Sequence, residues 1–91
     1  MTETREIRIK RLKMRSMRRG IKEMDLILSD YADRELVNMS DAELDLYEVM
    51  LEESDLEMFK WVNGQEPAPE RYSALISRIT QGAHGLTAPR T

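Results

Sequence analysis

Apolar residues recur along this chain at three- and four-residue steps, and no period-2 run lasts as long as a strand needs. The clearest stripe is Tyr72, Leu75, Ile76 and Ile79, at i, i+3, i+4 and i+7. Pro69 suits the first turn of that helix, where its missing N–H is not needed, and Gly82 suits its end. Upstream, Ile21, Met24, Leu28 and Tyr31, with Ile27 beside them, predict a helix over about 20–35. The preceding stretch, about 4–17, is rich in good helix formers, but its stripe is imperfect. There Ile9 and Leu12 share a face that Met17 rejoins, the polar Ser16 interrupts it, and Met14 points elsewhere.

The connections carry their own chemistry. Ser40-Asp41-Ala42-Glu43 is a capping box, with the Ser40 hydroxyl placed to accept from the Glu43 N–H and Glu43 placed to reach back. Leu44, Tyr47, Met50 and Leu51 follow as the apolar face of a third helix. Ser54-Asp55-Leu56-Glu57 repeats the signature and opens a short fourth helix, with Leu56, Phe59 and Val62 inward and Gly64 at its end. Gly20, between the first two helices, is placed either to end one or to start the next. These elements predict an all-α, compact five-helix bundle: one domain over residues 1–82 with a basic N-terminal helix, then a mobile tail over 83–91.

Length and composition agree with one small domain. The chain has 91 residues, 41% of them hydrophobic and 34% charged. It has no cysteine, which removes disulfides, thiolate metal sites and cysteine nucleophiles and fits a reducing compartment. No apolar run approaches a bilayer span, so no membrane insertion is expected. Glu3 and Glu6 interrupt the Arg-rich N-terminal stretch in a way that import presequences avoid, and a cytoplasmic location is expected.

The net charge of −3 conceals a division: residues 1–22 hold nine Lys and Arg against two acids, and the rest hold five against fifteen. A basic arm on an acidic body reads either as an interaction surface or as a helix face neutralised by the body itself. It lacks interleaved aromatics for stacking bases, and the acidic remainder repels phosphate, so no nucleic acid is expected as a partner.

Catalytic chemistry finds little support. The one histidine, His84, lies in the Gly-bounded tail away from any apolar stripe. The acids Glu48, Glu52, Glu53, Asp55 and Glu57 have no Glu-x-x-His companion and read as a solvated helix face and a cap, so no metal is expected. No glycine-rich nucleotide loop is present. Trp61, near the end of a short helix, reads as core or half-buried cover rather than a binding anchor.

The most informative stretch is Arg18-Arg19-Gly20-Ile21-Lys22-Glu23-Met24-Asp25. Two roles are open for it. One is local: Gly20 ends a helix, Glu23 satisfies first-turn N–H groups, and Arg19 pairs with Glu23. The other is a contact patch: Gly20 leaves a notch, Arg19 offers a planar fork of donors, and Glu23 projects on the same side one turn on.

The pattern Arg-Gly-x-x-Glu at Arg19, Gly20 and Glu23, with Asp25 two positions later, resembles the signature of the small succinate dehydrogenase assembly factors that promote flavinylation. The resemblance runs from about Ile9 to Thr80. Leu44 to Leu51 is similar to the family's third helix, and Glu53, Asp55, Leu56, Phe59 and Trp61 to its acidic and aromatic block. The basic N-terminal arm departs from some members.

The resemblance implies a five-helix bundle that is not an enzyme. Its partner would be the flavoprotein subunit of succinate dehydrogenase, with fumarate reductase as a second candidate. FAD, and the histidine to which it is linked, belong to that partner, so the chain itself needs no cofactor. Arg19, Gly20 and Glu23 would form the contact centre, with Arg15, Arg18 and Asp25 nearby, and the free chain is expected to be a monomer. The competing reading is a toxin-neutralising or regulatory adaptor built on the same bundle.

Overall fold

In a computed structural model, which describes residues 3–83, five α-helices follow one another: α1 Arg5–Arg15, α2 Lys22–Glu35, α3 Asp41–Met50, α4 Asp55–Val62 and α5 Glu70–Gly82. A 3-10 turn, Leu36–Asn38, continues α2, and no strand occurs among the described residues. The fold is all-α, as the helical spacing requires. The expected tail lies outside the described residues apart from Ala83, which is buried at the end of α5, and His84 lies outside them as well.

The caps follow from the residues. Ser40 accepts from the Glu43 N–H at 3.1 Å while Glu43 accepts from the Ser40 N–H at 2.8 Å, closing the capping box of α3. Ser54 accepts from the Glu57 N–H at 3.2 Å at the start of α4. Past its end, Gly64 takes φ 82°, the left-handed conformation that favours glycine. The α5 stripe Tyr72, Leu75, Ile76 and Ile79 is buried throughout. It meets Met24, Ile27, Leu28 and Tyr31 of α2 and Leu44, Tyr47 and Met50 of α3 in one core. Trp61 is partly buried against that core, its ring centroid 5.8 Å from that of Tyr72.

Three sequence expectations change. Helix α1 ends at Arg15, and α2 begins at Lys22 with Gly20 in the loop between them; the residue that turns the chain with positive φ is Arg18, at 55°. Ser16, expected to interrupt the α1 stripe, is its last buried member, while Met17 is exposed. The reason is a polar partner: the Ser16 hydroxyl donates to the Leu12 carbonyl at 2.8 Å and lies 2.6 Å from the Tyr47 hydroxyl. In α4 the inward face is Met58 and Val62, with Phe59 partly buried, and Leu56 is 55% exposed. Asp55 sets that register, because its side chain is directed at the α1–α2 loop and Leu56 lies about 100° round the helix from it.

The charge division also acquires a structural meaning. Arg5 pairs with Asp41 at 3.0 Å, Arg8 with Asp45 at 2.6 Å, Arg11 with Glu48 at 2.9 Å and Arg15 with Glu52. Both sets advance by three or four residues and in the same sense, so α1 runs parallel to α3 with a ladder of arginine–carboxylate pairs along the seam. The ladder shows in the protonation equilibria. Hydrogen bonds from Arg11 and then Arg8 hold the Glu48 carboxyl below the usual range, and Asp45 raises Arg8. Much of the basic arm is thus neutralised by the acidic body, the second of the two readings of its charge.

Candidate functional site

The Arg18–Asp25 stretch forms the α1–α2 loop and the first turn of α2, and its geometry is organised from α4. Asp55, the first residue of α4, receives two hydrogen bonds: Arg19 Nε donates to Oδ1 at 2.7 Å, and the Gly20 N–H donates to Oδ2 at 2.6 Å. The remaining guanidinium nitrogens of Arg19 donate to the Arg15 carbonyl at 2.9 Å and the Leu51 carbonyl at 3.0 Å. Only 12% of the Arg19 side chain and 20% of the Asp55 side chain are exposed. A planar fork suits this task, because it meets one carboxylate and two carbonyls in fixed directions.

Gly20 has a local reason to be glycine. A Cβ placed on it would lie 3.0 Å from Asp55 Oδ2, closer than side-chain carbons ordinarily approach an oxygen, and the carboxylate is held in place by Arg19 on its other oxygen. The near neighbour at Gly20 is therefore a carboxylate of the same chain.

The six expected contact residues separate into two groups. Arg15, Arg19, Gly20 and Asp25 have partners within the chain: Arg15 with Glu52, Arg19 and Gly20 with Asp55, and Asp25 with the Ser29 hydroxyl at 3.2 Å. Arg18 and Glu23 are exposed and form no ion pair among the described residues. The local reading of the motif placed Arg19 on Glu23; the structure places it on Asp55 and leaves Glu23 outward in the first turn of α2. A carboxylate there is stabilised by the helix N-terminus, whose cap residue Ile21 makes no side-chain hydrogen bond.

The flanks of this loop are apolar at the surface. Met14 and Met17 precede it, Leu26 stands one turn beyond Glu23, and Leu56 adjoins Asp55, all exposed. Methionine adapts its shape to an opposing surface and is common at binding faces. Two unpaired charges beside exposed apolar side chains suit recognition of a macromolecule. The described residues contain no group of His, Cys, Asp and Glu able to hold a metal ion. No helix among them is long and apolar enough to cross a membrane.

Sequence reasoning missed the Asp55 clasp. Asp55 sits beside a capping serine, and a helix cap accounted for the acid there; a partner 35 and 36 residues away leaves no local periodicity to detect. The ladder was detectable in principle, since Arg5, Arg8, Arg11 and Arg15 match Asp41, Asp45, Glu48 and Glu52 in helical spacing.

Comparison with known proteins agrees with this architecture. Residues 10–83 match the family described as Flavinator of succinate dehydrogenase. The chain is 38% identical over 87 residues to succinate dehydrogenase assembly factor 2, mitochondrial, of Mycosarcoma maydis, an alignment covering 96% of this chain and 37% of that protein. It is 40% identical over 73 residues to the protein of the same name from Meyerozyma guilliermondii, covering 77% of this chain and 54% of the relative. The FAD assembly factor SdhE of Haemophilus ducreyi is 40% identical over 63 residues, 68% of this chain and 77% of that one. The chain thus spans about a third to a half of the two fungal relatives and most of the bacterial one. The matched span contains the whole motif, the clasp and helices α2 to α5, and on it the chain belongs to the family of flavinators of succinate dehydrogenase.

Proposed function

We propose that this chain binds the flavoprotein subunit of succinate dehydrogenase and promotes covalent attachment of FAD to it, docking through the surface around Arg18, Gly20 and Glu23. The observation that carries the reading is the pair of exposed charges, Arg18 on a loop anchored from inside and Glu23 on the helix turn that follows it, flanked by Met14, Met17 and Leu26. Arg19 holds that surface from beneath, and Arg15 and Asp25 stand near it with partners of their own in Glu52 and Ser29. Opposite charges on the partner would meet Arg18 and Glu23, and the apolar rim would supply buried area around them.

On this reading the chain contributes no catalytic group. FAD and the residue that receives it belong to the flavoprotein, and the chain accelerates attachment by binding more tightly to the partner conformation in which the two are correctly placed. It acts as a monomer, in the cytoplasm, and fumarate reductase is the next flavoprotein to assay.

The test is covalent flavin on the flavoprotein subunit, read as in-gel fluorescence in cells with and without the chain. Deletion lowers the fluorescence, the wild-type chain restores it, and Glu23→Ala does not. Unchanged fluorescence on deletion, or full restoration by Glu23→Ala, overturns the reading.

A further inference from the structure

We infer that Asp55 is a positioning residue for docking: through Arg19 and Gly20 it fixes the loop that presents Arg18 and leads into the first turn of α2, where Glu23 stands. The inference rests on the docking surface proposed above and assigns its support to α4. The Arg18–Glu23 segment follows a helix that ends at Arg15, includes a positive φ at Arg18, and enters α2 without a side-chain cap. Its own backbone bonding is sparse: the Ser16 and Met17 N–H groups bond back to α1, at 3.0 Å to Leu12 and 3.2 Å to Met14, and the Asp25 N–H bonds to Ile21 at 2.9 Å. Between those points the Gly20 N–H on Asp55 and the Arg19 fork on Asp55, Arg15 and Leu51 tie the loop to the body.

This arrangement gives the two parts of the motif separate duties. Arg19 and Gly20 act inward, on the chain's own carboxylate, and Glu23 acts outward. Gly20 is glycine because Asp55 occupies the space that a Cβ would enter, 3.0 Å away. Loss of the clasp releases the loop, and the partner must then order it on binding, which lowers affinity without removing any contacting side chain.

The experiment compares full-length wild type, Glu23→Ala, Asp55→Asn and the double variant, titrated against the purified flavoprotein subunit of succinate dehydrogenase. Amide hydrogen exchange at Gly20 is measured in parallel. Asp55→Asn keeps a side-chain carbonyl that can accept a hydrogen bond but loses the charge that holds Arg19. It is expected to weaken docking about tenfold and to speed Gly20 exchange, with helix content unchanged. Because the ordering cost is paid whichever contacts remain, Asp55→Asn weakens docking by a similar, roughly tenfold factor in the Glu23→Ala background, and faster Gly20 exchange at an unchanged urea midpoint separates loop release from general destabilisation.

Arg19→Lys provides an independent arm that leaves Asp55 in place. It keeps the charge, cannot span one carboxylate and two carbonyls, and reproduces both the weaker docking and the faster Gly20 exchange. Wild-type affinity of Asp55→Asn beside a weakened Glu23→Ala, or weakened docking with Gly20 exchange unchanged in both Asp55→Asn and Arg19→Lys, overturns the inference. Wild-type affinity of Glu23→Ala is a different result, and overturns the docking surface itself.

Discussion

The buried hydroxyl pair Ser16–Tyr47 allows a prediction with a built-in direction. Both residues are fully buried. The Ser16 hydroxyl has a single proton, and the Leu12 carbonyl, which can only accept, takes it at 2.8 Å. Tyr47 must therefore donate to Ser16 across the 2.6 Å contact. Ser16→Ala removes the one hydrogen-bond acceptor that the phenol has among the described residues, leaving a donor unsatisfied at a cost of about 1–3 kcal/mol. Tyr47→Phe removes the donor instead, and Ser16 keeps its bond to Leu12, so the loss is about 0.5–1.5 kcal/mol. For a domain of this size each kcal/mol shifts the melting temperature by about 4–8 °C. Ser16→Ala should therefore melt lower than Tyr47→Phe, and the double variant should melt above Ser16→Ala and well short of the sum, because removing the phenol O–H also removes the stranded donor. Thermal unfolding followed by far-UV circular dichroism, run on all four chains of the cycle, measures this. Tyr47→Phe costing more than Ser16→Ala, or additive effects, would refute the assigned proton direction.

The same tyrosine gives a pH signature. Burial pushes Tyr47 from the usual 10.0 up to about 12, so the neutral phenol favours the folded chain; that stability is complete below 10.0 and is lost as pH rises from there through about 12. Tyr47→Phe should flatten this alkaline loss in urea midpoint. At the acidic end, the Ser40 backbone N–H, and then Arg78, hold Glu43 down from 4.5 to about 2. Its contribution is present above 4.5 and lost as pH falls through about 2, so the midpoint gap between wild type and Glu43→Gln should narrow across that window; a constant gap would contradict the capping-box geometry. Met58→Ala should cost about 2–5 kcal/mol by opening a cavity in the core, while Leu56→Ala should leave the melting temperature nearly unchanged. Glu48→Gln should cost about 1 kcal/mol at low salt, since Glu48 faces both Arg8 and Arg11. Most of that difference should vanish near ~1 M salt, where the screening length is ~3 Å.

Much of this fold can be read along the chain because its signals are local. The serine boxes at Ser40 and Ser54, the glycine after α4 and the Tyr72–Ile79 stripe each require only neighbours within one or two turns. The failures share the opposite property. Ser16 is buried on account of a tyrosine 31 residues away, and its polarity alone argued for the surface. Leu56 lies outward because Asp55 is committed to Gly20 and Arg19, so one long-range polar contact outweighed the expected apolar register. The motif itself stood out in sequence, but its division into inward and outward members depends on where α4 begins in space.

The parallel arginine–carboxylate ladder also bears on how the chain acquires its fold. Its rungs join residues 36 or 37 apart in sequence, so α1 can dock only after α2 and α3 have brought the acidic seam into place. Within α1 only Leu12 is buried, whereas α2 and α5 each bury at least four side chains. Helix α1 is then the late-forming and first-departing unit, and substitutions along the ladder accelerate unfolding while leaving the folding rate nearly untouched. The Arg18–Glu23 loop spans the joint between this unit and the remainder. Any protein that binds the loop in its ordered form therefore holds α1 in place as well, and occupancy of the docking surface would register as protection of α1 amides far from the contact.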